Sequence, residues 1–210
     1  MGKKEVKNKL NFINSLLQCS SIAATTFERM EELISQTLYF LPNFEERSII
    51  MKQYYENVHR FIDEISLVLA NSIIKDNKTL FMYETFFTYL KEVSSKFYLL
   101  HSFFSIKQYE LSNIAMDELI SLNKTVNYSV NFFVKEVANF SSKKGNNDKS
   151  WHLGELEFAV NEHIRLIQYN VLSNNYSWQQ AELVVAIAKV MGAIVNIISK
   201  ALRILPFLKE

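Results

Sequence analysis

Two prolines and four glycines in 210 residues leave this chain few places to turn tightly or to break regular structure. Gly and Pro interrupt helices more strongly than any other residues, so their scarcity excludes a turn-rich fold. What remains is a small number of long helices joined by short connections. The single cysteine, Cys19, excludes an internal disulfide and fits a reducing compartment. Small neighbours (Ser20, Ser21) and the lack of any nucleophile signature around it make Cys19 a helix-packing residue. Charge of one sign is missing too. Lys and Arg total 23 against 22 Asp and Glu, for a net charge of +1, so there is no electrostatic footprint for nucleic acid. The basic cluster Lys143, Lys144 and Lys149 is too short to supply one.

Enzyme signatures are also lacking. No Gly-rich phosphate loop, nucleophile elbow or Cys-His metal spacing occurs, and the expectation is a protein without catalytic activity or cofactor. The basic N-terminus has no apolar run behind it and does not read as a secretory signal. The longest apolar stretch, Leu183 to Leu205, is interrupted by Lys189, Asn196, Lys200 and Arg203. Positions 189, 196 and 203 recur every seven residues and so share one side of a helix. The stretch therefore predicts a mostly buried helix with a narrow polar stripe rather than a membrane span.

The chain is rich in core formers: 49% of residues are hydrophobic and 13% aromatic. That suffices to offset the entropy of folding, with disorder expected only at the ends. Six helices follow from the 3.6-residue period. The first runs from Lys4 to Leu41, ahead of Pro42. The second starts at Asn43, an N-cap candidate with Glu46 in the capping-box position, and runs to Ile74. Its inward positions are Val58, Phe61, Ile65 and Val68, with Ser72 continuing the spacing. Asp76-Asn77-Lys78 forms a turn. The third, Thr79 to Phe104, carries the seam Tyr83, Phe86, Leu90, Val93, Phe97, Leu100 and Phe104.

The fourth, Ile106 to Phe140, carries Leu119, Asn123, Val126, Val130, Phe133, Val137 and Phe140. Asn123 is the one polar member of that seam, so it must find a partner and would fix register. Residues 141–150 are a polar linker. The fifth helix, Trp151 to Leu172, points Leu156, Val160, Ile164, Ile167 and Val171 inward. The sixth is capped by Ser177 and runs to Leu205, with Val184, Ile187, Met191, Ile194, Ile198, Ala201 and Leu205 inward. Short turns make neighbouring helices antiparallel, each about 22 to 38 residues or roughly 33 to 57 Å long. A longest helix followed by two shorter ones occurs twice, over 4–104 and 106–205. The predicted fold is therefore an all-α single domain over 1–210, six antiparallel helices in two pseudo-repeated three-helix halves.

One constellation could carry chemistry. Glu56, His59 and Asp63 share one side of the second helix, and Glu-x-x-His is the spacing by which di-iron bundles bring two ligands to one metal. A full centre needs a second copy, and the fifth helix offers only Glu157 and Asn161 with Glu162 and His163 beside them. The alternatives are a partial metal site and a solvated Glu–His–Asp face. His163 falls on the inner stripe, as a hydrogen-bonded core or boundary histidine. His101 and His152 lie near helix ends and read as capping or surface groups. Glu45-Glu46 suits the positive end of a helix dipole, and Glu31-Glu32 is expected to face solvent.

Four stretches resemble one family. FEERSIIMKQYYENVHRFIDEISLVLANSI (44–73), TLFMYETFFTYLKEVSSKFYLLHSFF (79–104), GELEFAVNEHIRLIQYNVL (154–172) and WQQAELVVAIAKVMGAIVNIISKALRIL (178–205) are similar to the second, third, fifth and sixth helices of PhoU-like proteins. The likeness is to the branch found beside low-affinity (Pit-type) phosphate permeases. It implies a cytoplasmic regulator of inorganic phosphate transport, peripheral to the inner face of the membrane. Such a protein would be a homodimer docking on a membrane phosphate permease or its regulator. The family's carboxylate motifs hold surface metal clusters. Here His59 and Asn161 stand in carboxylate positions, and Lys91, Lys96 and Lys189 occupy the facing helices. The resemblance thus implies a lost cluster, with Glu56, His59, Asp63 and Glu157 as the remnant candidates for a weakly bound divalent metal or iron. Two other readings stand beside it: a helical dimerisation scaffold with no link to phosphate, and a degenerate ferritin-like metal bundle.

Overall fold

The computed structural model describes residues 3–39, 43–70, 77–104, 113–141, 150–174 and 176–209. They form six helices: α1 (Lys3–Leu38), α2 (Phe44–Ala70), α3 (Asn77–Phe104), α4 (Asn113–Ser141), α5 (Ser150–Ser173) and α6 (Trp178–Ile204), followed by a 3-10 segment, Leu205–Lys209. The protein is an all-α bundle. Helices α1, α2 and α3 pack on one another, as do α4, α5 and α6, and the two sets join through α1 on α4, α3 on α6 and the ends nearby. The α1 of one half thus meets its counterpart α4, and α3 meets its counterpart α6.

Neighbouring helices run antiparallel, which the side-chain pairs show directly. Phe27, Glu31 and Ser35 of α1 meet Phe133, Asn127 and Asn123 of α4 in falling order. Tyr55, His59 and Asp63 of α2 meet Tyr98, Ser95 and Lys91 of α3 in the same sense. Glu157 of α5 reaches Arg203 of α6, while the Ile164 side chain fills the space beside Gly192 that a Cβ would need. At the start of α3 the buried Tyr83 hydroxyl donates to the Leu208 carbonyl at 2.7 Å, tying the C-terminal segment down.

The apolar seams explain these contacts. On α3, Tyr83, Phe86, Leu90, Val93, Phe97 and Leu100 are all buried, and so are the predicted seam residues of α4 and α6. Phe27, Phe97 and Phe133 meet where α1, α3 and α4 converge, with ring centroids 6.3 and 5.9 Å from Phe27. On α6 the residues Lys189, Lys200 and Arg203 reach solvent and Asn196 is half-buried, so the polar stripe is present. Among the described residues one helical stretch, Trp178–Leu208, is long and apolar enough to cross a membrane, and 61% of its most apolar window is buried inside the bundle. Ser177 caps α6 with a full capping box, its side chain accepting from the Gln180 N–H.

Several expectations need correction. On α2 the inward residues are Met51, Val58, Ile62 and Leu69, while Phe61 is half-buried and Val68 exposed. Phe61-Ile62 and Val68-Leu69 are adjacent apolar pairs, so the period alone chose the wrong member of each. Asn43 opens α2 through its carbonyl, which accepts from the Arg47 N–H at 3.1 Å. Its φ of 70° is left-handed, however, and the expected N-cap geometry needs extended backbone. Asn77 and Lys78, expected in a turn, belong to α3. Pro42, Ser72, Asp76, the expected helical start 106–112 and linker residues 142–149 lie outside the described residues.

The largest correction is Glu31. Only 4% exposed, it faces α4 rather than solvent, while Glu32 is exposed and pairs with Arg29 at 3.0 Å. Glu31 lies four residues after Phe27 and three before Ile34, on the inner stripe. Its Oε1 accepts from the Ser35 hydroxyl at 2.8 Å and from Asn123 Nδ2 at 2.9 Å, and its Oε2 accepts from Asn127 Nδ2 at 2.6 Å. Asn123, 5% exposed, also donates to Ser35 Oγ. A carboxylate taken out of water needs such donors, and charge-assisted hydrogen bonds are the strong ones. Replacing Asn123 by Ala removes donors from a buried acceptor, and stability should fall by about 2–3 kcal/mol. Urea unfolding with an unchanged m-value reads this, and a loss under about 0.5 kcal/mol would contradict the arrangement.

Candidate functional site

The four remnant metal candidates are placed on opposite halves. Helix α2, carrying Glu56, His59 and Asp63, packs on α1 and α3, whereas α5, carrying Glu157, packs on α4 and α6. Each carboxylate has a cation of its own. Glu56 lies 3.7 Å from Lys52, Asp63 is paired with Lys91 across the α2–α3 contact, and Glu157 accepts from Arg203 at 2.9 Å. His59 Nε2 lies 3.3 Å from the Ser95 hydroxyl and its ring packs on Tyr55. Partial burial, and then the Lys91 ammonium, hold the imidazole below its ordinary pKa, with Asp63 opposing them. The α2 cluster is thus an ion-paired seam between α2 and α3. Among the described residues, no group of three or more His, Cys, Asp or Glu side chains is placed to hold a metal ion.

The remaining reactive groups are structural. Cys19 is buried and its thiol is pushed up to about 12 by desolvation, which removes the thiolate a nucleophile needs. His163 is a half-buried boundary residue, as expected, but its Nδ1 is buried without a hydrogen-bond partner. His152 is exposed, 3.7 Å from Glu155 and edge-on to Phe132. His101 is the exception to its predicted role. It is buried at the end of α3, its ring stacked on Phe44 at 4.8 Å, and its Nε2 has no partner. Burial, reinforced by the nearby Arg47 guanidinium, lowers its pKa to about 4.

Phe44 and Arg47 belong to the first turns of α2, beside a concavity between α1 and α2. A cleft of about 700 Å³ opens between the second half of α1 and the first half of α2. Leu33, Ile50 and Tyr54 supply apolar wall, and Arg29, Glu32 and Glu46 supply a rim of mixed charge. Asn43, whose φ is positive, also lines this cleft. The lining thus combines an apolar wall with charged side chains of both signs. Sequence reasoning missed the cleft because its walls come from two different helices, whose packing brings Arg29 and Leu33 beside Ile50 and Tyr54. The Glu32–Arg29 spacing and the Glu45-Glu46 start of α2 were its only visible traces.

His101 sets a pH dependence. Its folded-state pKa lies below that of the unfolded chain, so between about 6.5 and about 4 the unfolded chain binds more protons, and stability should fall as pH falls through that window. His101→Phe, which keeps the stack on Phe44, should flatten the profile; an unchanged slope in urea titrations at several pH values would contradict the buried neutral imidazole. No family model matches the chain, and no curated protein or solved structure matches it either.

Proposed function

We propose that this chain is a non-catalytic docking protein of inorganic phosphate uptake, working at the cytoplasmic face of the membrane by binding a phosphate permease or its regulator. The observation that supports docking is the cleft between α1 and α2, apolar along its wall and charged at its rim. A partner's helix or loop would lay apolar side chains on Ile50 and Tyr54 and pair its charges with Arg29, Glu32 and Glu46. The six-helix arrangement in two halves agrees with the layout that the PhoU-like resemblance implies. The assignment to phosphate rests on that resemblance, carried by the four helical stretches.

The test is an affinity pull-down of tagged protein from the membrane fraction of its native host, read by mass spectrometry, with an Ile50→Glu variant alongside. A phosphate permease should be enriched by the native chain and lost with the variant, whose helical circular dichroism should be unchanged. Recovery of the chain alone, under conditions that keep other membrane complexes intact, would overturn the phosphate reading. Enrichment that ignores Ile50→Glu would move the docking site away from the cleft.

A further inference from the structure

Helix α5 carries a second seam on the side opposite its core face. Phe158, Glu162, Arg165, Tyr169 and Leu172 follow one another at intervals of four, three, four and three. That is the spacing by which one helix packs along another. These side chains are turned to solvent: Phe158 is 69%, Tyr169 67% and Leu172 84% exposed. Glu162 and Arg165 pair with each other at 2.9 Å in the middle of the stripe. The outer face of α2, the counterpart of α5, carries Lys52, Glu56, Arg60 and Asp63 between Ile49 and Leu67.

We infer that this face of α5 is a two-fold interface with a second copy of the chain, the two α5 helices crossing antiparallel about a point between His163 and Ile164. The order of side chains along the stripe argues for this occupant. Around that one centre Phe158 falls across from the second copy's Tyr169, and Glu162 across from the second copy's Arg165. Each contact occurs twice, as an isologous interface requires. Aromatic meets aromatic and acid meets base, so the two exposed ion pairs merge into a four-membered network.

Area points the same way. At about 150–250 Å² for a fully exposed aromatic side chain, the stripe with Leu166 and the Arg165 stem offers on the order of 700 Å² per copy. Two copies would then bury about 1,400 Å², within the range of stable specific interfaces. A lipid surface fits worse. Helix α5 carries Glu155, Glu157 and Glu162 against Arg165 as its one Lys or Arg, whereas anionic headgroups attract clustered Lys and Arg. This inference is independent of the phosphate reading, because it requires no partner but the chain itself.

Sedimentation equilibrium of the full chain over a range of concentrations tests it. The native chain should sediment as a dimer of 24.5 kDa protomers. Arg165→Glu, and separately Glu162→Arg, should each place like charges across the two-fold and raise the dimer Kd about tenfold or more. The double exchange Glu162→Arg with Arg165→Glu should restore the native Kd, an outcome that mere loss of folding would not give. Both positions are exposed enough for circular dichroism to stay unchanged. A chain that is monomeric at every concentration overturns the inference, as does a dimer indifferent to the charge reversals or unrescued by the exchange. Binding of the monomer to anionic phospholipid vesicles through Phe158 and Tyr169 would assign the face to a lipid surface and overturn it as well.

Discussion

A buried carboxylate holds the two halves of this bundle in register. Glu31 reaches from α1 into donors supplied by α4, and nothing apolar in its neighbourhood could replace them. Apolar seams are tolerant of sliding, since a Leu or Phe packs nearly as well one turn away. A carboxylate and two amides are less tolerant, because a one-turn slip that brought Leu119 to the place of Asn123 would leave Glu31 Oε1 without its amide donor. The clasp therefore disfavours that slip, which the apolar contacts alone would tolerate. The aromatic group of Phe27, Phe97 and Phe133 lies one turn away along α1 and inherits that alignment. So does α3, which α6 and the Tyr83–Leu208 tie then hold from the other side.

With the halves fixed, the roles of the outer helices differ. Helix α2 is laced to α3 by Asp63 with Lys91 and by His59 with Ser95, while Lys52, Glu56 and Arg60 stay on its exposed face. The cleft lies at its other end, between α1 and the first half of α2. Helix α5 is held from within by Val160, Ile167 and the Ile164 side chain beside Gly192, and it presents an ordered stripe outward. Under the roles proposed above, the cleft would take a partner and the α5 stripe would pair two copies, so that one small bundle could serve as an adaptor.

Much of this was legible in the residues, and the failures are instructive. The helix count, the α3, α4, α5 and α6 seams and the Ser177 cap followed from period and turn chemistry, because a scarcity of Gly and Pro leaves the hydrophobic period nearly uninterrupted. Asn123 announced itself as a polar residue in an apolar seam that needed a partner. Its partner did not, because adjacent Glu31 and Glu32 look alike in sequence while helical geometry sends one inward and the other out. Adjacent apolar pairs on α2 misled for the same reason. His101 was hidden by its place near a helix end: burial there comes from Phe44 of another helix, a tertiary contact that no local pattern carries. The α2 acid–His–acid spacing was visible, but the cations that occupy it, Lys52 and Lys91, decide what it does.

The central claim is that the clasp between α1 and α4 makes the two halves one cooperative unit, and native-state hydrogen exchange tests it most directly. Amides in the middle of α1, around Glu31, and of α4, around Asn123, should exchange through the same opening, with one free energy equal to that of global unfolding and one dependence on denaturant. If α4, α5 and α6 opened as a group at lower free energy while α1, α2 and α3 stayed protected, the halves would be independent units and the account of the clasp would be contradicted.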